Sequence, residues 1–204
     1  MSFRLVPVVE GEGEAKAVPV LLRGIATWLA PERHVSVQRP VRVPRDSFVR
    51  NAEERRKALA YAVHACLRAN GSGHILVLLD ADDDCPATAG PALFESCAAI
   101  VGDRTGLSVV LANREYEAWF LASRERLQGT RGFDLERLRE HWDEVDPDAP
   151  RNAKGLVREA TGRRYGPVKD QAALSAKIDP RLACERSRSF RKLVDECRRA
   201  LEVP

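Results

Sequence analysis

At 204 residues, with 44% hydrophobic and 31% charged side chains, the chain has the composition of an ordinary folded protein rather than a disordered one, with room for one substantial core and a small appended part. No apolar run approaches the roughly 20 residues that span a bilayer, and the opening MSFRLVP lacks the apolar core of a secretory signal, so no membrane contact and a cytoplasmic location are expected. The formal charge of +3 is uneven: from Arg151 onward fourteen Lys and Arg face seven Asp and Glu, a net +7 that leaves −4 for residues 1–150. An acidic body with a basic tail suits an anionic polymer brought to a carboxylate site, although arginines on solvated helix faces account for the tail as well.

In chain order, Arg4 to Val9 reads as a short strand and EGEGEA as a tight turn after it. Apolar residues at helical spacing predict a helix from Ala15 to Ala30. His34 to Val43 alternates as a strand does, with Pro40 indicating an edge position. Asn51 caps a predicted helix that runs to the Asn70-Gly71 stop. Ile75 to Leu79 is a fully apolar third strand, Gly90 to Gly102 a helix flanked by glycines, and Leu107 to Ala112 a fourth strand. Asn113 is the expected cap of a helix reaching Leu127. Strands alternating with helices in this way predict an α/β fold with a mainly parallel four-stranded sheet flanked by helices over residues 1–128. Past Gly129 the pattern is helical only, at about 134–142, 152–161, 169–177 and 188–202, and predicts a basic α-helical extension over 129–204 that packs on the sheet.

Five cysteines without a C-x-x-C, and four scattered histidines (His34, His64, His74, His141), argue against a zinc site. The acids are the stronger signal. Ile75 to Leu79 runs directly into Asp80, Asp82, Asp83 and Asp84, and packed carboxylates raise one another's pKa unless water, a partner or a cation sits among them. An EF-hand loop beginning at Asp80 fails, because Cys85 occupies the turn-glycine position and Pro91 that of the bidentate Glu. A P-loop ATPase fails as well, since no G-x-x-x-x-G-K-[ST] exists in the chain. In an open parallel sheet ligands bind outside the carboxyl ends of the strands, so Glu10–Glu14, Asp80–Asp84 and Asn113–Glu117 should converge on one edge. Asp80 and Asp82, at i and i+2, would point the same way from an extended strand end, with Glu10 facing them. Such a set suits Mg²⁺ or Mn²⁺, which take oxygen ligands and keep several waters.

VEGEGE at Val9–Glu14 and LLDADDD at Leu78–Asp84 resemble the Toprim fold of topoisomerases, primases and nucleases of the overcoming-lysogenisation-defect type. More closely, the ordered series VEGEGE, ILVLLDADDDCP, ANREYEAWFLAS, KDQAALSAKID and SRSFRKLV resembles the bacterial family catalogued as domain of unknown function 4276, over nearly the whole chain. The Toprim resemblance implies magnesium held by Glu10, Asp80 and Asp82, with Glu10 also a general acid or base, and Glu14 helping to hold a second ion about 4 Å away. Glu117 is a looser match for a further metal ligand, as is Glu115. Asp84 is a further candidate near the metal, and Lys169 or Lys177 would approach the scissile phosphate. The implied activity is metal-dependent phosphodiester cleavage on nucleic acid, DNA rather than RNA. The implied setting is defence against phage or plasmids beside an ATPase partner. Tyr61, Tyr116 and Tyr165 show no context for strand passage. Trp119 and Phe120 read as core. Two other classes stay open: a non-catalytic subunit whose acids bind metal, nucleotide or protein, and a D-x-D sugar-nucleotide transferase.

Overall fold

Ile75 to Leu79 form the middle of a strand and are at most 2% exposed, because helices cover both faces of the sheet to which they belong. The computed structural model describes residues 3–68, 73–138 and 146–202. In chain order these form β1 (Phe3–Val9), α1 (Glu12–Leu29), β2 (Val35–Val37), β3 (Val41–Arg42), α2 (Arg45–Arg50), α3 (Ala52–Leu67), β4 (Gly73–Asp80), α4 (Pro86–Val101), β5 (Gly106–Ala112), α5 (Ala118–Ala122), α6 (Ala153–Ala160), α7 (Pro167–Ser175), α8 (Pro180–Arg186) and α9 (Arg188–Glu202). Every strand pairing is parallel, in the order β2-β1-β4-β5, with β3 also on β1. The expected edge strand 34–43 is thus split around Pro40: its first half pairs with Phe3–Leu5 and its second with Val8–Val9. Proline has no amide to give a ladder, which accounts for the break. Among the described residues no helix is long and apolar enough to cross a membrane.

Alternation along β4 sends Leu76 and Leu78 to one face, where they meet α1, α5 and the C-terminal helices. Ile75, Val77 and Leu79 go to the other face, under α2, α3 and α4. The helices after residue 150 therefore share a core with the sheet: Val157, Leu174, Ala183 and Phe190 pack in the same cluster as Leu5 and Leu22. Asp148 ties this region down. It is 6% exposed and accepts Ser187 Oγ at 2.8 Å and the Arg188 amide at 2.9 Å. A residue from a distant loop thereby caps the amino end of α9.

Several elements differ from the sequence reading for local reasons. The helix expected from Asn113 begins only at Ala118, because Asn113 does not cap it; its side-chain amide donates instead to the Asp148 carbonyl at 2.7 Å. Of the helix expected at 134–142, only Leu135–Arg137 forms a short 3-10 turn, and residues 139–142, with His141, lie outside the described residues. EGEGEA is not a separate turn, since α1 starts at Glu12 and Gly13 lies within its first turn.

Gly13 is there for close packing. A Cβ at this position would stand 2.7 Å from Pro167 Cβ and 2.2 Å from Gln171 Oε1, so only glycine lets α1 approach α7 this closely. Gly13→Ala is expected to destabilise the protein by about 1–3 kcal/mol through overpacking, although alanine in a free helix is favoured by ~1 kcal/mol. Denaturant unfolding measures the sign; a more stable G13A protein would contradict the packing account.

Candidate functional site

Because every strand runs the same way, the segments after β1, β4 and β5 leave one edge of the sheet, and the expected convergence occurs. The β4–β5 ladder continues past the strands through Ala81 N–H to Ala112 O at 2.9 Å and Asp82 N–H to Arg114 O at 3.0 Å. The Tyr116 amide then donates to Asp80 Oδ1 at 2.8 Å. Extending the β1–β4 register places Glu10 opposite Leu79, one residue short of Asp80.

The acids fall into two groups on the two sides of this edge. On the α1 and α7 side are Asp80, Glu14 and Glu117. Burial, and after it the charges of Glu117, Glu14 and Glu10, hold the Asp80 carboxyl well above the usual carboxylate range, opposed by the Tyr116 amide. Glu117 is 2% exposed; burial raises its carboxyl too, against the Tyr165 hydroxyl, which donates to its Oε1 at 2.8 Å, and the charge of Lys154. Glu14, in the first turn of α1, accepts the Gln171 side-chain amide at Oε1, 3.3 Å away. On the α2 side lie Glu10 and Asp82. Burial and then Asp82 raise the Glu10 carboxyl, while a hydrogen bond from the Arg45 amide lowers it.

Asp80 and Asp82 do not project alike. The chain leaves the extended conformation at Asp82, which takes a left-handed φ of 51° and has its exposed side chain 3.4 Å from Arg45 Nε. Asp84 is also drawn to Arg45, forming an ion pair with its Nη2. Arg45 itself is 8% exposed. Its Nε donates to the Asp80 carbonyl at 2.8 Å and its Nη2 to the Ala81 carbonyl at 3.1 Å. The chain thus supplies a cation for the outer acids of the DADDD loop, and the Glu10, Asp80, Asp82 trio is divided between two surroundings. Asp83 pairs with Arg114 at 2.8 Å.

The remaining candidates lie elsewhere. Glu115 Oε2 accepts the Lys154 amide at 2.8 Å, at the amino end of α6. Glu12 pairs with Lys16 at 3.0 Å. Lys169 is exposed on α7, two positions from Gln171, so the two side chains leave the helix in nearly opposite directions; Lys177 is exposed beyond the end of α7. Trp119 and Phe120 are fully buried core. His34 and His64 are exposed. His74 is buried near the opposite end of β4, where Ser108 Oγ lies 2.8 Å from its Nε2 and donates to Glu196 at 2.7 Å. Burial lowers the His74 pKa to about 4. Sequence reasoning did not find Arg45, Tyr165 or Gln171. Only the family-like segment KDQAALSAKID contained one of them, and no spacing rule links residues 45, 165 or 171 to residue 80.

The donor set on the α1 side fits a hard divalent ion: carboxylate oxygens only, crowded enough that ionising Asp80 is opposed by three neighbours. Among the described residues no three His, Cys, Asp or Glu side chains already form a ligating group. A family model described as Domain of unknown function (DUF4276) matches residues 9–198. No curated protein matches the chain, and no solved structure does.

Proposed function

The chain belongs to the family described as Domain of unknown function (DUF4276), a description that names no chemistry, and from its residues we propose a Mg²⁺-dependent phosphodiester-cleaving protein of Toprim type that acts on nucleic acid, DNA rather than RNA. The observation that carries this is the position of Asp80. It ends the central strand of a parallel sheet, with Glu117, Glu14 and Glu10 as its leading electrostatic neighbours. The Toprim reading is supported by the order of parts: an acid after the first strand and before the first helix, then an acid at the end of a central strand.

Asp80, Glu14 and Glu117 would hold the metal. When bound, a divalent cation neutralises charge on a phosphate oxygen and lowers the pKa of a bound water. Glu10, half-buried and with its carboxyl raised, is suited to take a proton from the attacking water or give one to the leaving oxygen. Arg45 keeps the β4 loop in place through the Asp80 and Ala81 carbonyls. Arg114, whose guanidinium is partly exposed beside Asp83, lies at the rim that a phosphate backbone would cross. A neighbouring ATPase partner and a role in defence belong to this proposal through the family resemblance alone.

Plasmid nicking in Mg²⁺ or Mn²⁺ tests the reading. Cleavage is expected for the natural sequence and a loss of about 10²-fold or more for Glu14→Gln and Glu10→Gln. Equal residual cleavage in all three proteins would indicate a contaminating nuclease. A non-catalytic metal-binding subunit is the second reading, favoured by Arg45 already neutralising Asp82 and Asp84; it predicts a divalent-dependent rise in Tm without cleavage.

A further inference from the structure

The region after residue 150 does more than pack on the sheet. Two of its buried side chains each donate a hydrogen bond to one of the acids. Tyr165 precedes α7, is 3% exposed, and its amide is held by Thr161 Oγ1 at 3.1 Å. Its ring stands edge-on to Phe120 with centroids 6.4 Å apart. With the ring so fixed, the hydroxyl has one direction to donate, toward Glu117 Oε1 at 2.8 Å.

Gln171 is fully buried. Its Nε2 donates to Glu14 Oε1 at 3.3 Å, while its Oε1 is buried without a hydrogen-bond partner and lies against Gly13. An unpaired buried carbonyl costs about 1–3 kcal/mol, and a methionine would fill the space without that cost. Folding alone therefore does not account for an amide at this position. The Tyr116 amide does for Asp80 what these two groups do for the glutamates: each of the three carboxylates has one oxygen fixed by a donor from the chain. For Glu14 the second oxygen lies over Gly11, the amino cap of α1, where a Cβ would stand 2.3 Å from Oε2. Carboxylates that bind metal ions are commonly oriented by such outer hydrogen bonds.

We propose that Tyr165 and Gln171 are positioning residues for the acid site, holding Glu117 and Glu14 so that a free oxygen of each is presented to a divalent cation. This rests on the function proposed above. Neither side chain touches substrate or metal; each acts through the carboxylate it holds.

The test uses the full chain, MnCl₂ as probe, and free Mn²⁺ measured by electron paramagnetic resonance, with Tm recorded for every variant. Tyr165→Phe removes only the hydroxyl, and Gln171→Met keeps the shape of the side chain without its amide. Ser175→Ala is the control: it removes a buried hydroxyl of α7 that bonds Tyr116 Oη at 2.8 Å and no acid. Tyr165→Phe and Gln171→Met are each expected to weaken Mn²⁺ binding about tenfold, and Ser175→Ala to leave it within twofold. Unchanged binding in both variants overturns the proposal, and so does an equal weakening in Ser175→Ala, which would point to helix docking in general. A natural-sequence protein that binds no Mn²⁺ at millimolar concentration overturns the metal-dependent function and this proposal with it, an outcome distinct from the other two.

Discussion

Asp80→Asn is expected to raise the Tm of the metal-free protein at neutral pH and to remove its response to Mg²⁺. The Asp80 carboxyl titrates well above its ordinary range because burial and three neighbouring carboxylates oppose its ionisation. A group whose folded pKa is raised favours the folded state most at pH below its unfolded pKa, and that contribution is lost as pH rises through the folded value. At neutral pH the buried Asp80 therefore contributes less to folding than it does at acid pH. Asparagine keeps an Oδ1 to accept the Tyr116 amide, now at 2.8 Å, and carries no charge. In a domain of this size each kcal/mol recovered is worth about 2–4 °C in Tm. The gain should shrink as the pH is lowered toward the ordinary Asp range, where both side chains are neutral. Calorimetry in EDTA at pH 7.5 and pH 4, then with added Mg²⁺, reads all of these effects. An Asp80→Asn protein no more stable than the natural one at pH 7.5 would mean that the acids do not crowd Asp80 as described.

Arg45→Ala has the opposite sign. The Arg45 side chain joins α2 to the loop after β4 through the Asp80 and Ala81 carbonyls, at 2.8 and 3.1 Å, and through Asp84. Hydrogen bonds from a charged donor contribute about 1.5–3 kcal/mol each. The ion pairs add less, because the Asp82 and Asp84 side chains are 60% and 56% exposed and water screens them. A loss of about 3 kcal/mol follows, or roughly 6–12 °C in Tm. Arg45→Lys should recover less than half of it, since an ammonium lacks the planar fork that reaches two carbonyls and a carboxylate together. A change below 2 °C in Arg45→Ala would remove Arg45 as the organiser of this loop. Under the proposed function the lowered Tm should accompany weaker cleavage, because the Asp82 charge acts on the Glu10 carboxyl.

The parts of the site that could be read directly from the chain are those set by local rules. A run of five apolar residues before Asp80, set among strands that alternate with helices, reads as a buried parallel strand, and a parallel sheet brings its carboxyl ends to one edge. The convergence of Glu10–Glu14, Asp80–Asp84 and Asn113–Glu117 on one edge was accordingly legible, but not the division that sets Glu10 and Asp82 apart from Asp80, Glu14 and Glu117. The left-handed turn at Asp82 was not, because a D-x-D spacing carries no information on where the strand ends. The late start of α5 was hidden for a similar reason: Asn113 has the chemistry of a cap, but Asp148 takes its amide.

From the sequence by itself came the strands, their shared direction and the acids that follow them, since hydrophobic period and charge placement are properties of neighbouring residues. Only the tertiary structure decided how those acids are held. Arg45, Tyr165 and Gln171 reach them across separations of 39, 48 and 157 residues, and over such distances a hydrogen bond is dictated by how helices pack on the sheet, which no local pattern encodes.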